Sequence, residues 1–274
     1  MGNKLHMNHK KTKKKKKKKL TKKQKKGIID VPIDKNISLG SKASKGDIDY
    51  HYQKYYNTFG FIEEMISRNK QLQKRVCIPD IGDSWMKGLL SLQFLKGVHG
   101  SKALQSVKPV DSQNSKSKFI SEIDRCMSHR LVPINLLIHV PDIGTHANII
   151  LMDTKKKTIE LFEPHGSRRE KSELENMSKA YYKVSKNISR FFKFYYDDYK
   201  FIAPTHYEPK EGLQGNIDAY SGLCVTWSIL YLHYRILNPD VPQKRLLTYL
   251  DRRVTRNFIL RYMKYIENIL KGKI

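Results

Sequence analysis

The sequence has few cysteines: Cys77, Cys126 and Cys224 are the three among 274 residues. Their wide spacing excludes the dense disulfide framework of a small secreted domain, and it does not match the paired ligands of a zinc site. We therefore expect a reducing compartment, and the sequence implies no metal and no cofactor.

Long apolar runs are also missing. No stretch approaches the length of a membrane span, no signal-peptide core follows Met1, and no internal repeat is visible. These absences predict a protein that is not secreted and has no transmembrane segment.

Acidic residues are absent from residues 1–26, which hold fourteen lysines and so about half of the net charge of +27. Such a stretch repels itself and buries little, so we predict a disordered tail over 1–46. The tail has two interpretations. It is either a solvated segment that aids solubility, or a nuclear-targeting or electrostatic element that binds nucleic acid or an anionic surface through Lys10–Lys26.

The remainder, 47–274, has the composition of one globular domain. We divide it into a mainly helical part at 47–129, a core at 130–240 and a C-terminal helix at 241–274. Helices are predicted within 47–74, 84–95, 117–129, 172–188 and 242–270, and strands at 131–140, 146–153, 158–162 and 191–202. Helices, then a short sheet, then helices indicate an α+β fold.

Cys224 lies where a Gly222-Leu223 turn meets a long apolar run. This pattern places the cysteine at a helix N-terminus, where the positive end of the macrodipole favours the nucleophilic thiolate. Taken alone, a cysteine on an apolar helix is more often inert packing.

His146 opens one predicted strand and Glu163 follows the end of the next. If the intervening lysine turn makes an antiparallel hairpin, the imidazole and the carboxylate are neighbours at one sheet edge. Glu160 competes for the orienting role, but it lies an odd number of positions from Glu163 and so faces the other side of the strand. The three groups fit a cysteine hydrolase, with nucleophile Cys224, base His146 and orienting acid Glu163.

Other residues are weaker candidates for this site. His139, His165 and His206 are alternative bases, and His165 is the nearest in sequence to Glu163. Gln214 precedes Cys224 by ten residues, and its amide is a candidate oxyanion donor together with the Cys224 N–H. Ser221 lacks the nucleophile-elbow glycines of a serine hydrolase.

The order His, acid, Gln, Cys resembles the SUMO-protease and adenovirus-protease group of cysteine peptidases. The segments that carry the resemblance are His146-Ala-Asn148, Phe162-Glu-Pro-His-Gly166 and Gly222-Leu-Cys-Val-Thr-Trp-Ser228, and they look like versions found in large nucleocytoplasmic DNA viruses. The resemblance implies a permuted papain-like fold with a short antiparallel central sheet flanked by helices. A viral source implies the host cytoplasm or nucleus, or the virion.

The resemblance implies a protease or isopeptidase that acts on viral precursors or ubiquitin-like conjugates, cleaved after small residues. Three departures from the family pattern are visible. Ala147 stands where the family has Trp after its histidine, Leu223 and Val225 replace the usual Asp and Gly around the cysteine, and Gln214 lies farther upstream than the family glutamine. The alternative is therefore a catalytically inactive, basic virion or nucleic-acid-associated protein with a protease-like fold.

Overall fold

The computed structural model describes residues 27–34, 36–37, 58–80, 89–93, 116–140, 144–166, 185–186, 188–204, 212–218 and 223–272. The helix predicted at 172–188 and most of the predicted tail lie largely outside these ranges. The part of that tail from 27 to 34 packs on the domain. Val31 is buried, and Ile29 exchanges two hydrogen bonds with the Asn238 side chain (2.7 and 2.8 Å). The folded domain therefore begins before the predicted boundary at residue 47.

Helices and strands are both well represented, and the predicted α+β class is confirmed. The helices are α1 (Thr58–Ser67), α2 (Lys70–Gln73), α3 (Lys116–Cys126), α4 (Leu213–Asp218), α5 (Cys224–Leu237), α6 (Gln243–Arg253) and α7 (Arg256–Leu270). The strands are β1 (Leu89–Gln93), β2 (Leu131–Val140), β3 (Gly144–Asp153), β4 (Thr158–Phe162) and β5 (Lys200–Ile202). A further helical segment covers 188–195. None of the described helices is long and apolar enough to cross a membrane.

The five strands form one sheet in the order β1-β2-β3-β4-β5. The predicted hairpin is confirmed: β3 and β4 pair antiparallel, and their turn is fixed by a 3.0 Å hydrogen bond from the Lys156 N–H to Asp153. The predicted antiparallel central sheet covers β2, β3 and β4, and the two edge strands differ from it. β1 runs parallel to β2 and β5 parallel to β4, because each edge strand enters by a long connection rather than a tight turn.

The helix predicted at 84–95 is wrong where the structure describes it, because Leu89–Gln93 is a strand. Its residues pair with Asn135–His139 of β2. The local spacing of apolar residues suits a helix, but backbone pairing with a long central strand decides the structure of so short a segment.

The strand predicted at 191–202 is mostly wrong. Residues 188–195 are helical, and only Lys200–Ile202 pairs with β4. The aromatic residues suggested a strand, but Ile188, Phe192 and Tyr196 recur at helical spacing and all three are buried against the sheet.

The single C-terminal helix predicted from Pro242 to Leu270 is two helices. Val254 is extended and buried, and the Thr255 side chain caps the next helix by accepting from the Phe258 N–H at 3.2 Å. Burying Val254 in the core breaks the helix at this point.

The sheet separates two apolar layers, and the alternation of β3 shows both. Ile149 and Leu151 pack with α5 and α7, whereas Ile150 and Met152 pack with α3 and segment 188–195. Helix α5 is buried along nearly its whole length. At roughly 1.5–3 kcal/mol for each fully buried large apolar side chain, this packing fixes the helix start relative to the sheet.

Two of the three cysteines form a disulfide, which corrects the expectation drawn from their spacing. Cys77 and Cys126 are 49 residues apart in sequence, yet their Cα atoms are 5.3 Å apart. The Cys77 N–H bonds to the carbonyl of Leu131, the first residue of β2, and Cys126 ends the helix that leads into the same strand. The disulfide removes the basis for the expected reducing compartment. Cys224 is not part of a disulfide.

Candidate active site

Cys224 is the first residue of α5, as its sequence context predicts. The preceding Leu223 provides no side-chain cap, so the first-turn N–H groups and the helix dipole act on the region of the thiol. Only 5% of the residue is exposed, and the Ala147 N–H donates to its Sγ at 3.4 Å.

His146 and Glu163 meet at the end of the β3–β4 hairpin. Nε2 of His146 lies 2.5 Å from Oε1 of Glu163, and both side chains are buried. The Cys224 side chain forms a hydrogen bond with the same imidazole. Because Glu163 occupies Nε2, Nδ1 is the ring nitrogen left for the thiol. The structure thus brings Cys224, His146 and Glu163 into one connected set.

The electrostatics of the three groups favour charge separation. Burial alone would lower the pKa of His146, but the Glu163 carboxylate and Cys224 raise this pKa to about 10. Burial alone would raise the pKa of Glu163, yet the charge and hydrogen bond of His146 hold it at about 2. Burial also acts to raise the pKa of Cys224, and the His146 and Ala147 hydrogen bonds lower it below the ordinary value. At neutral pH these shifts hold the imidazole protonated beside an ionised carboxylate, and they favour the thiolate form of Cys224.

Helix α5 forms hydrogen bonds with both the backbone N–H and the backbone carbonyl of Ala147. The Ala147 N–H donates to Cys224, and the Ser228 hydroxyl, one helical turn further on, donates to the Ala147 carbonyl at 3.2 Å. Residues four apart share a helix face, so Cys224 and Ser228 fix the helix start against β3. The absence of a bulky residue at position 147 lets this contact form at a fully buried site.

Gln214 lies in a short helix rather than in the predicted loop, and its backbone contacts the residue that follows the acid. It is the second residue of α4, and its N–H donates to the Pro164 carbonyl at 2.9 Å, next to Glu163. The Gly212 N–H likewise donates to the His165 carbonyl at 2.8 Å. The Gln214 side chain is buried, and its Oε1 has no hydrogen-bond partner among the described residues.

The alternative residues fall into separate environments. The imidazole of His165 lies against that of His146, with ring centroids 4.8 Å apart, and the backbone N–H of His165 donates to Oε1 of Glu163 at 2.9 Å. Glu160 is on the opposite face of β4, where it pairs with Arg235 of α5. His206 and Ser221 lie outside the described residues, as does the side chain of His139.

Asn148 contacts the site but had no role in the sequence-based prediction. Its Nδ2 donates to Oε2 of Glu163 at 2.7 Å. The sequence could have indicated this residue, because Asn148 follows His146 by two positions and therefore shares its face of the strand. Register supplies the rest: the last paired residues of the hairpin are Ile149 and Phe162, so Asn148 lies opposite Glu163 one position beyond.

The arrangement has the parts of an acyl-transfer site: a thiol with a lowered pKa, an imidazolium that can give a proton to a leaving group, and a carboxylate that orients it. Within the described residues, no group of three His, Cys, Asp or Glu side chains could hold a metal ion. The thiol, imidazole and carboxylate together are suited to acyl transfer through the sulfur.

Comparison with known proteins gives limited similarity. No family model matches the chain. A protein of Acanthamoeba polyphaga mimivirus, described as ankyrin repeat protein L371, is 26% identical over 189 residues; the match covers 59% of this chain and spans 23% of the length of that protein.

Among solved structures, the effector protein ChlaDUB1 of Chlamydia trachomatis is 14% identical over 58% of this chain and 60% of that chain, with a TM-score of 0.32. The effector protein RavZ of Legionella pneumophila is 12% identical over 88% of this chain and 68% of that chain, with a TM-score of 0.31. Similarity at this level does not assign a function, which follows instead from the geometry of the site.

Proposed function

We propose that the protein is a cysteine peptidase or isopeptidase. The observation that carries the proposal is the connected set Cys224, His146 and Glu163, buried together at a helix start with a 2.5 Å hydrogen bond between imidazole and carboxylate. A lone buried cysteine needs no such partners, and a structural histidine needs no thiol.

In the proposed reaction, the Cys224 thiolate attacks the carbonyl carbon of a peptide or isopeptide bond. His146 then gives its proton to the leaving amine as the C–N bond breaks and a thioester remains. Forming the thioester removes the negative charge on sulfur, one of the causes of the raised His146 pKa. With its pKa lowered in this way, the imidazole stays neutral and can accept a proton from the water molecule that attacks the thioester; the acyl group leaves as a carboxylic acid and the sulfur is released as the thiolate.

Glu163 orients the imidazole and stabilises its charged form throughout this cycle. The Cys224 N–H and Gln214 are the candidate oxyanion donors. Two observations support the role of Gln214: its side chain is buried, and its backbone N–H is bonded to Pro164, the residue after the acid. Protein substrates cleaved after small residues, such as viral precursors or ubiquitin-like conjugates, follow from the family resemblance, as does action in the host cytoplasm or nucleus.

The test is cleavage of a panel of Gly-Gly-containing peptides and ubiquitin-like conjugates by wild type, Cys224→Ala and His146→Ala proteins. We expect both substitutions to abolish cleavage while circular dichroism and thermal unfolding show a folded protein. Cleavage that persists in Cys224→Ala protein would contradict the assignment of the nucleophile.

The rival function is binding of nucleic acid or another polyanion through Lys10–Lys26. Lysine-driven binding falls steeply with salt and is independent of sequence. Deleting residues 1–26 should remove such binding and leave cleavage by the domain intact. A full-length protein that binds but never cleaves, with Cys224→Ala indistinguishable from wild type, would favour this rival.

A further inference from the structure

Asn148 is a buried polar residue in direct contact with the orienting acid. It is 2% exposed, and its Nδ2 has two acceptors: Oε2 of Glu163 at 2.7 Å and the Phe162 carbonyl at 3.2 Å. Carboxylates and carbonyls accept hydrogen bonds only, so the amide nitrogen must face both groups. The NH₂ group has two hydrogens and finds two acceptors.

The contacts of Glu163 divide between its two oxygens. Oε1 accepts from Nε2 of His146 at 2.5 Å and from the His165 N–H at 2.9 Å, and Oε2 accepts from Asn148. The terminal torsion of a glutamate is broad and has no strong rotamer preference of its own. A donor on the second oxygen therefore fixes the plane of the carboxylate, which in turn fixes the direction in which Oε1 meets the imidazole.

We propose that Asn148 is a positioning residue that holds the Glu163 carboxylate in the plane that serves His146. It acts through Glu163 and touches neither the sulfur nor the substrate. The proposal rests on the proposed function, since it assigns to Asn148 a part in maintaining the thiolate–imidazolium pair. It extends the set of functional residues along β3, where alternate positions carry first the base and then the support of its acid.

The experiment measures the ion pair without a substrate. The rate of Cys224 alkylation by iodoacetamide is followed against pH in wild type, Asn148→Ala and Asn148→Asp proteins. Without the donor on Oε2, the carboxylate is no longer held in the plane that serves the imidazole, and it stabilises the imidazolium less. In Asn148→Ala the rise in alkylation should therefore move to higher pH, towards that of an ordinary thiol. On a substrate, we expect kcat to fall roughly tenfold with little change in KM, the loss expected for one charge-assisted hydrogen bond.

Asn148→Asp separates positioning from packing, since it keeps the shape of the side chain. Only the protonated carboxyl of the new side chain can donate to Oε2 of Glu163. The alkylation rate of Cys224 in this variant should therefore approach the wild-type rate as the pH falls and depart from it as the pH rises. The matched control is Thr154→Ala at the other end of the hairpin, which removes a 2.7 Å hydrogen bond to the His129 carbonyl without touching Glu163. Its alkylation profile should match that of wild type.

Each outcome decides a different question. A profile of Asn148→Ala that superimposes on that of wild type overturns the role of Asn148 and leaves the proposed peptidase standing. A shifted profile in a protein that cleaves nothing supports Asn148 and contradicts the proposed function. Ordinary thiol behaviour in the wild type overturns both.

Discussion

Two buried glutamates three residues apart, one in strand β4 and one directly after it, differ in their partners. Glu163 faces the end of the hairpin and bonds to an imidazole, whereas Glu160 faces α5 and bonds to a guanidinium. Arg235 contacts both oxygens of Glu160 at 2.8 and 2.9 Å, and its remaining donors reach the carbonyls of Asn238 and Val241. Tyr231 adds a third hydrogen bond to Glu160 at 3.0 Å.

The difference lies in whether the cation can give up its proton. A guanidinium stays protonated in proteins, so the Glu160–Arg235 pair can only hold α5 to the sheet. An imidazolium can lose its proton, and here it also lies beside a thiol, so the Glu163–His146 pair can do chemistry. Helix α5 carries Cys224 at its start and Arg235 near its end, so one helix links the structural pair to the reactive one.

The largest expected difference between the two glutamates is in catalysis, which should depend on the charge of Glu163. Glu163→Gln keeps the shape of the acid but removes its charge, so the imidazolium loses its main stabilising partner. We expect kcat/KM to fall by about 10³–10⁴, the cost seen when an orienting carboxylate is neutralised. Steady-state kinetics with the best substrate of the panel measures it. A fall of less than about tenfold would show that Glu163 does not orient the base.

The next effect is on stability. Arg235→Met leaves the Glu160 carboxylate buried without its cation, and breaking such a pair costs about 3–5 kcal/mol of unfolding free energy. Urea denaturation followed by circular dichroism measures the change. The double variant Glu160→Gln/Arg235→Met should recover part of the loss, because no unpaired charge remains. A stability equal to that of wild type in Arg235→Met would mean that the pair does not hold α5.

The acid pH dependence of stability sharpens the comparison further. The pKa of Glu163 falls from 4.5 in the unfolded chain to about 2 in the folded protein. A lowered pKa stabilises the fold above pH 4.5, and this contribution, roughly 3 kcal/mol, is lost as the pH falls from 4.5 towards 2. Glu163→Gln should remove this segment of the pH profile of the unfolding free energy. An unchanged acid slope in that variant would contradict the pairing with His146.

The smallest expected effect is on the contact between residues 212–214 and residues 164–166, which holds the backbone of Gln214 in place. A Cβ at Gly212 would lie 2.1 Å from the Gly166 nitrogen and 2.3 Å from the Pro164 oxygen, so Gly212→Ala must push the two segments apart. We expect a loss of about 1–3 kcal/mol in unfolding free energy, with a fall in kcat as Gln214 moves. Gly27→Ala, which has open space around its Cβ, is the control. Equal stability of the two variants would show that the segments do not depend on this close approach.

The pattern of the sequence predicted the parts of the fold that local signals specify. The helix start at Cys224 and the β3–β4 hairpin followed from a turn before an apolar run and from a lysine turn between two β-rich segments. Alternation along β4 placed Glu160 and Glu163 on opposite faces, and the structure puts them there.

The errors arose where distant contacts decide the structure. β1 is a strand because it pairs with β2. Residues 188–195 are helical because Ile188, Phe192 and Tyr196 recur at helical spacing and pack against the sheet. The Cys77–Cys126 disulfide depends on two segments that meet at the start of β2. The contact of Asn148 with Glu163 follows from register, which spacing alone does not supply.

The most direct measurement is labelling of Cys224 by an electrophilic Gly-Gly probe in wild type, Glu163→Gln and Glu160→Gln proteins, with the adduct mapped by mass spectrometry. We expect rapid labelling of Cys224 in wild type, a large loss in Glu163→Gln, and near-wild-type labelling in the folded fraction of Glu160→Gln. Equal labelling in all three proteins, or a loss confined to Glu160→Gln, would contradict the claim that the Glu163–His146 pair activates the thiol.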